Sequence, residues 1–188
     1  LSSANSNAQT LLRTKVVFSR ASLGSASGRA KTSADDIATL TFAADAAGSV
    51  AINSVTVTFS GDAPSNAAFL DGVLLLDENG SALGTGNVTS SACTGGNSCS
   101  KSFLLGATNT GQVVNAGQTR TWTLRIDSTK TRTAQASISQ TLTATVNILG
   151  DMKFTDGLDS GASTVINILA PYVTAPLSIT GVSYAIGT

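Results

Sequence analysis

The sequence predicts an all-β protein: an antiparallel two-sheet β-sandwich, immunoglobulin-like or jelly-roll, of about ten strands. Three observations carry that expectation. From Ala134 to Ile148 the chain alternates, with Ala134, Ala136, Ile138, Leu142, Ala144, Val146 and Ile148 on one parity and mostly Ser, Thr, Gln and Asn on the other. That is the period of a half-buried strand. At about 3.4 Å per residue it would reach roughly 50 Å, against the usual ~17–20 Å. No segment of useful length shows helical periodicity, and Gly- and Ser-rich turns punctuate the apolar runs at the short spacing of a sandwich.

The elements follow in order. Residues 1–10 are small and polar and form an arm; residues 11–188 form a single domain. Leu12, Val16 and Phe18 share a parity within Leu11–Arg20 and mark a first strand. After a loop rich in Ser, Gly and Ala, Leu40 and Phe42 alternate with Thr39 and Thr41 across Ile37–Ala43. The run Val50–Ser60 changes register: Val50 and Ile52 hold one parity, Val55, Val57 and Phe59 the other. A β-bulge near Asn53 and Ser54 would turn both sets inward. Phe69–Asp77 contains the unbroken apolar run Val73–Leu76, the mark of a strand covered on both faces. Asp77-Glu78-Asn79-Gly80 is a hairpin turn, with Asn-Gly supplying positive φ, and the return is Ser81–Thr85.

Lys101–Ala107 is a further strand, and a turn at Asn115-Ala116-Gly117 leads into Thr119–Asp127, where Trp122, Leu124 and Ile126 face one way. Asp151–Gly161 is polar and expected to be a loop; Thr164–Leu169 is a short buried strand. Pro171 and Pro176 bracket a connector to a last strand, Leu177–Ile186, with a second parity change at Gly181. No repeat is visible inside the chain.

Composition narrows the function classes. Eleven Lys and Arg balance eleven Asp and Glu, and only 12% of residues are charged, about half the usual fraction. A neutral surface has no electrostatic draw toward nucleic acid or an anionic membrane. No stretch approaches the ~18 apolar residues that would span a bilayer, so membrane insertion is not expected. A hydroxyl-rich surface with little charge is also poorly defended against sheet-to-sheet joining. Cys93 and Cys99 are the only cysteines, and the intervening Thr94, Gly95, Gly96, Asn97 and Ser98 form a turn that lets the thiols meet. A local disulfide and an oxidising, extracellular or cell-surface location follow. The opening at Leu1, with no initiator methionine, fits a processed, exported protein.

Candidate chemistry is sparse, and an enzyme is not expected. The chain has no histidine, which removes Ser-His-Asp and Cys-His nucleophilic catalysis and leaves two thiolates without the further ligands that zinc needs. Asp77 and Glu78 lie in the turn, where solvated carboxylates are the ordinary outcome. A calcium site would draw on Asp151, Asp156 and Asp159, although their spacing matches no defined calcium loop. No other cofactor is expected. Trp122 belongs to the core by its alternation, with a sugar-stacking ring as the minor alternative; Tyr172 is the better exposed aromatic. Arg13, Lys15, Arg20, Arg29 and Lys31 bias the N-terminal region, but no aromatics interleave them as nucleic-acid binding would require. Lys15 shares parity with Arg13, which argues against a buried isopeptide lysine. Asn79-Gly80-Ser81 and Asn87-Val88-Thr89 fit the glycan acceptor pattern.

Several segments, in order, resemble an immunoglobulin-like β-sandwich repeat of secreted surface proteins from uncultivated small-genome bacterial lineages. They are Leu11–Val16, Ala44–Gly61, Leu74–Gly80, Ala116–Asp127, Phe154–Gly157 and Pro176–Gly181. The resemblance implies an extracellular sandwich with no known catalytic role, and it brings no site residues with it. The resulting expectation is a structural subunit of an extracellular filament or surface assembly. It would polymerise with copies of itself by β-strand addition, with Leu11, Leu12, Val16 and Phe18 at the subunit contact. The alternative is a secreted adhesin or carbohydrate-binding module whose partner is a surface glycan.

Overall fold

A computed structural model describes residues 14, 16–24, 28–61, 67–84, 93, 98–106, 111–131, 140–146, 151–156, 165–167 and 177–184. Among them are β1 (Val16–Ser22), β2 (Asp35–Ala44), β3 (Val50–Ser60), β4 (Leu74–Leu76), β5 (Ala82–Leu83), β6 (Cys99–Leu104), β7 (Gln112–Val114), β8 (Thr119–Ile126), β9 (Gln140–Val146), β10 (Met152–Asp156), β11 (Val165–Asn167) and β12 (Leu177–Tyr184). Two antiparallel sheets result. The first runs β1-β2-β8-β4-β5. The second is organised on β3, with β6 and β7 along one side, β9 and β10 along the other, and β12 and β11 outside these.

β1, β2, β8 and β4 occupy the places of strands A, B, E and D, and β3, β9 and β12 those of C, F and G, in the constant-type immunoglobulin arrangement. β6 and β7 are additions to the free side of β3.

Alternation builds the core as expected. Leu40, Phe42, Trp122, Leu124 and Ile126 are fully buried from the first sheet, facing Ile52, Val57, Phe59, Phe103 and Leu142 from the second. Phe18, Phe42 and Trp122 form a chain of tilted rings with centroids 5.1 and 4.4 Å apart, a geometry that adds to area burial. The register of β3 slips against β10 at Asn53, so Val50 and Ile52 before it and Val55, Val57 and Phe59 after it all point inward. Asn53 is the bulge residue, and its polar groups are used: Oδ1 accepts from Thr155 Oγ1 at 2.8 Å and the main-chain oxygen accepts from Leu105 N at 2.8 Å. The ladder of β12 with β9 slips between Ile179 and Val182, around the Gly181 parity change.

Three expectations are corrected. Phe69–Asp77 is not one buried strand: a 3-10 helix, Ala67–Gly72, precedes β4, and Leu74 is 38% exposed. A short apolar run cannot by itself distinguish strand from tight helix; here Asp71-Gly72 ends the 3-10 helix and Val73 links it to β4. Asp151–Gly161 is not a loop through its first half, because Met152 and Phe154 alternate with Lys153 to make β10, which is flanked by β3 and β11. Its polar composition hid the period. At the hairpin, only Gly80 takes positive φ, at 79°, while Asp77 Oδ1 accepts from the main-chain nitrogens of Asn79 and Ser81. Of the long alternating segment, β9 is the described part; residues 134–139, 147 and 148 lie outside the described residues, as does the arm 1–10. β10 takes up along β3 where β9 leaves off, since Thr145 faces Thr58 and Met152 faces Val55.

Candidate functional site at the sheet margins

The sandwich has two lateral margins. On one, β5 of the first sheet lies beside β6 of the second: Gly84, at the end of β5 with φ 64°, leaves so little room that a Cβ there would sit 3.1 Å from Leu104 O. On the other, β1 and β12 approach within 8 Å, Cα to Cα, without sharing a ladder.

The β5/β6 margin is braced by side chains. Lys101 is buried in β6, and its Nζ donates to Leu70 O at 2.8 Å and Val73 O at 2.7 Å, which ties the 3-10 segment across the sandwich edge. Burial pushes the Lys101 amine below the usual lysine range, partly countered by the Asp71 carboxylate. Phe69 meets Phe59 edge-on at 5.2 Å. The Cys93–Cys99 disulfide is present and anchors the start of β6. The sequence reading missed Lys101 as well as the 3-10 segment that it ties. The signal of Lys101 was available, because it shares the inward parity of Cys99 and Phe103.

Among the described residues no strand pairs with the outer side of β1. Leu23 N donates to Ile37 O, and Ala44 N turns away from β1 to Gln118 O. With the register Val17↔Ala43, Ser19↔Thr41 and Ala21↔Thr39, antiparallel alternation makes those three the hydrogen-bonded pairs. The N–H and C=O groups of Val16, Phe18, Arg20 and Ser22 therefore point outward along the free edge. Natural edges are guarded by shortness, bulges, charge or cover. β5 has two residues, β7 and β11 three each, β12 a register break, and β6 starts at the disulfide. β1 has seven residues in unbroken register and one charge, Arg20, while Val17 is 47% exposed.

The remaining candidates fall into place around this frame. Val16 and Phe18 turn into their own core, so β1 can offer a neighbour its backbone and the outward Val17, Ser19 and Ala21; Leu11 and Leu12 lie outside the described residues. Asp156 sits in β10 opposite Val50, with Asp151 just before the strand; Asp159 is outside the described residues. Among the described residues no three His, Cys, Asp or Glu side chains gather as a metal site. Trp122 is in the core, and Tyr172 and Asn87-Val88-Thr89 fall outside the described residues. Asn79-Gly80-Ser81 is the exposed apex of the β4–β5 hairpin.

Two arginines of the first sheet and one of its β1–β2 loop are paired. Arg120 chelates Glu78, Nη2 to Oε2 at 2.7 Å and Nε to Oε1 at 2.9 Å, and Arg125 holds Asp36 through contacts of 2.6 and 2.9 Å. The arginine hydrogen bonds hold both carboxyls below the ordinary carboxylate range. Arg29 pairs with Asp35 and donates to Leu23 O at 3.0 Å, pinning the β1–β2 loop. Arg13 and Lys15 of the expected basic cluster lie outside the described residues.

Among the described residues no helix is long and apolar enough to cross a membrane. No protein-family model matches the chain, and comparison with curated proteins and with solved structures returns no match.

Proposed function

We propose that this chain is a structural subunit of an extracellular filament or surface assembly, joined to its copies by β-strand addition at a sheet margin. The observation that carries the reading is the edge strand β1, the longest sheet edge in unbroken register among the described residues, whose eight outward backbone groups, two on each of Val16, Phe18, Arg20 and Ser22, meet no strand there, while the opposite margin is braced by the Lys101 side chain and the disulfide. The low charge removes long-range repulsion between copies, and the disulfide suits an exported, extracellular protein. The likeness to surface-protein repeats points the same way. A carbohydrate-binding module is the weaker reading, since the single tryptophan is committed to the core stack.

Negative-stain electron microscopy across a concentration series tests the proposal. Fibres or sheets that form without added ligand support it. Monodisperse monomers at every concentration, together with saturable binding to a glycan, overturn it.

A further inference from the structure

We infer that the outward edge of β1 pairs antiparallel with β1 of a second copy, about a two-fold axis through Ser19. The inference rests on the assembly reading above and names one of its contacts: a two-fold pairing closes on itself as a dimer, so a filament or layer needs a second, different contact between such dimers. An isologous edge pairing must satisfy each strand's hydrogen-bonding parity and its side-chain neighbours at once. Centring the axis on Ser19 puts Val16 opposite Ser22 and Phe18 opposite Arg20 of the other copy, so all four residues with outward groups meet in hydrogen-bonded pairs. Ser19 then meets its own counterpart in a non-hydrogen-bonded pair. On the exposed face, Val17 stands opposite Ala21, which covers the one large apolar side chain that β1 leaves in water.

Neighbouring registers do worse. An axis on Arg20 sets guanidinium against guanidinium, a destabilising like-charge pair. An axis on Phe18 leaves the outward groups of Ser22 unmatched. The Ser19 register joins the two five-stranded sheets into one continuous sheet of ten.

Disulfide trapping tests this directly, because the protein has no free cysteine. In a non-hydrogen-bonded antiparallel pair the Cα atoms stand about 4.5 Å apart, within disulfide reach. Ser19→Cys is expected to oxidise to a covalent dimer, while Ala21→Cys, on the same exposed face but out of register with its own counterpart, stays monomeric. Arg20→Pro removes an N–H that points away from β2, a place where an edge strand tolerates proline. It is expected to keep the melting temperature of the parent and lose non-covalent self-association.

Equal covalent dimer yields from the two cysteine variants overturn the inference, even if Arg20→Pro fails to fold. So does a folded Arg20→Pro protein that associates as the parent does. If the parent assembles while either result appears, only this contact falls; if the parent never associates, the assembly reading falls with it.

Discussion

The two margins of the sandwich solve the same problem in opposite ways. At the β5/β6 side, a strand of two residues, a glycine-tight approach, a buried lysine and a disulfide brace the two sheets against each other. At the β1 side, a regular seven-residue strand is held, among the described residues, through Val16 and Phe18 on its inner face and the β2 ladder on one flank. The difference teaches that low surface charge alone does not make an edge available; the absence of local cover does.

The largest effect that would break the contrast is loss of the anchor of the β1 margin. Phe18→Ala removes a ring that is 4% exposed and stacked on Phe42, and should cost about 3–5 kcal/mol in denaturant unfolding. A cost below about 1 kcal/mol would mean that β1 is held by something other than its inner face. Next comes the braced margin. Replacing Cys93 and Cys99 together by Ser should cost roughly 2–2.5 kcal/mol for a loop this short, while leaving any self-association at β1 intact.

Lys101→Met sharpens the comparison further. It keeps the stem volume but strands the Leu70 and Val73 carbonyls, so a loss of about 1–2 kcal/mol is expected. Its pH dependence has a definite sign. Because burial lowers the amine's pKa in the folded state, the folded protein sheds that proton first, and wild type gains stability relative to Lys101→Met as pH rises toward the ordinary lysine value. Melting temperatures of the two proteins across the alkaline range check this.

The smallest effect concerns the carboxylates. Glu78 and Asp36 have folded pKa values below their unfolded ones, so their contribution is present above the unfolded value. It fades as pH falls from about 4–4.5 through the depressed value. Both side chains are more than one-third exposed, so salt screens the pairs and each is worth only about 0.2–1 kcal/mol. Glu78→Gln should flatten the acid limb of the stability curve slightly. Since Arg120–Glu78 ties β8 to the β4–β5 hairpin, local hydrogen exchange should rise there and not in β1.

Elements with period-two alternation were legible before any coordinates. β2, β3 and β8 lie within two residues of their expected limits at each end, and the parity break at Asn53 announced the bulge because a strand that stays buried must slip where its apolar register changes. The disulfide was legible from spacing alone. Segments whose composition masked their period were not: Met152–Asp156 looked polar, and Phe69–Leu76 looked uniformly apolar. Lys101 was passed over because a charged residue at an inward position has meaning only when its partners are known, and those are carbonyls about thirty residues away in the chain.

The sequence by itself determined the strand-rich class, the inward face of each regular strand and the local cystine, since side-chain period and short loop closure are properties of neighbouring residues. Only the tertiary structure decided which strands became edges, which margin was braced, and that Val16 and Phe18 would be spent inside while their backbone faced out. Strand order and hydrogen-bonding parity depend on pairings between segments far apart in the chain, and no local pattern encodes them.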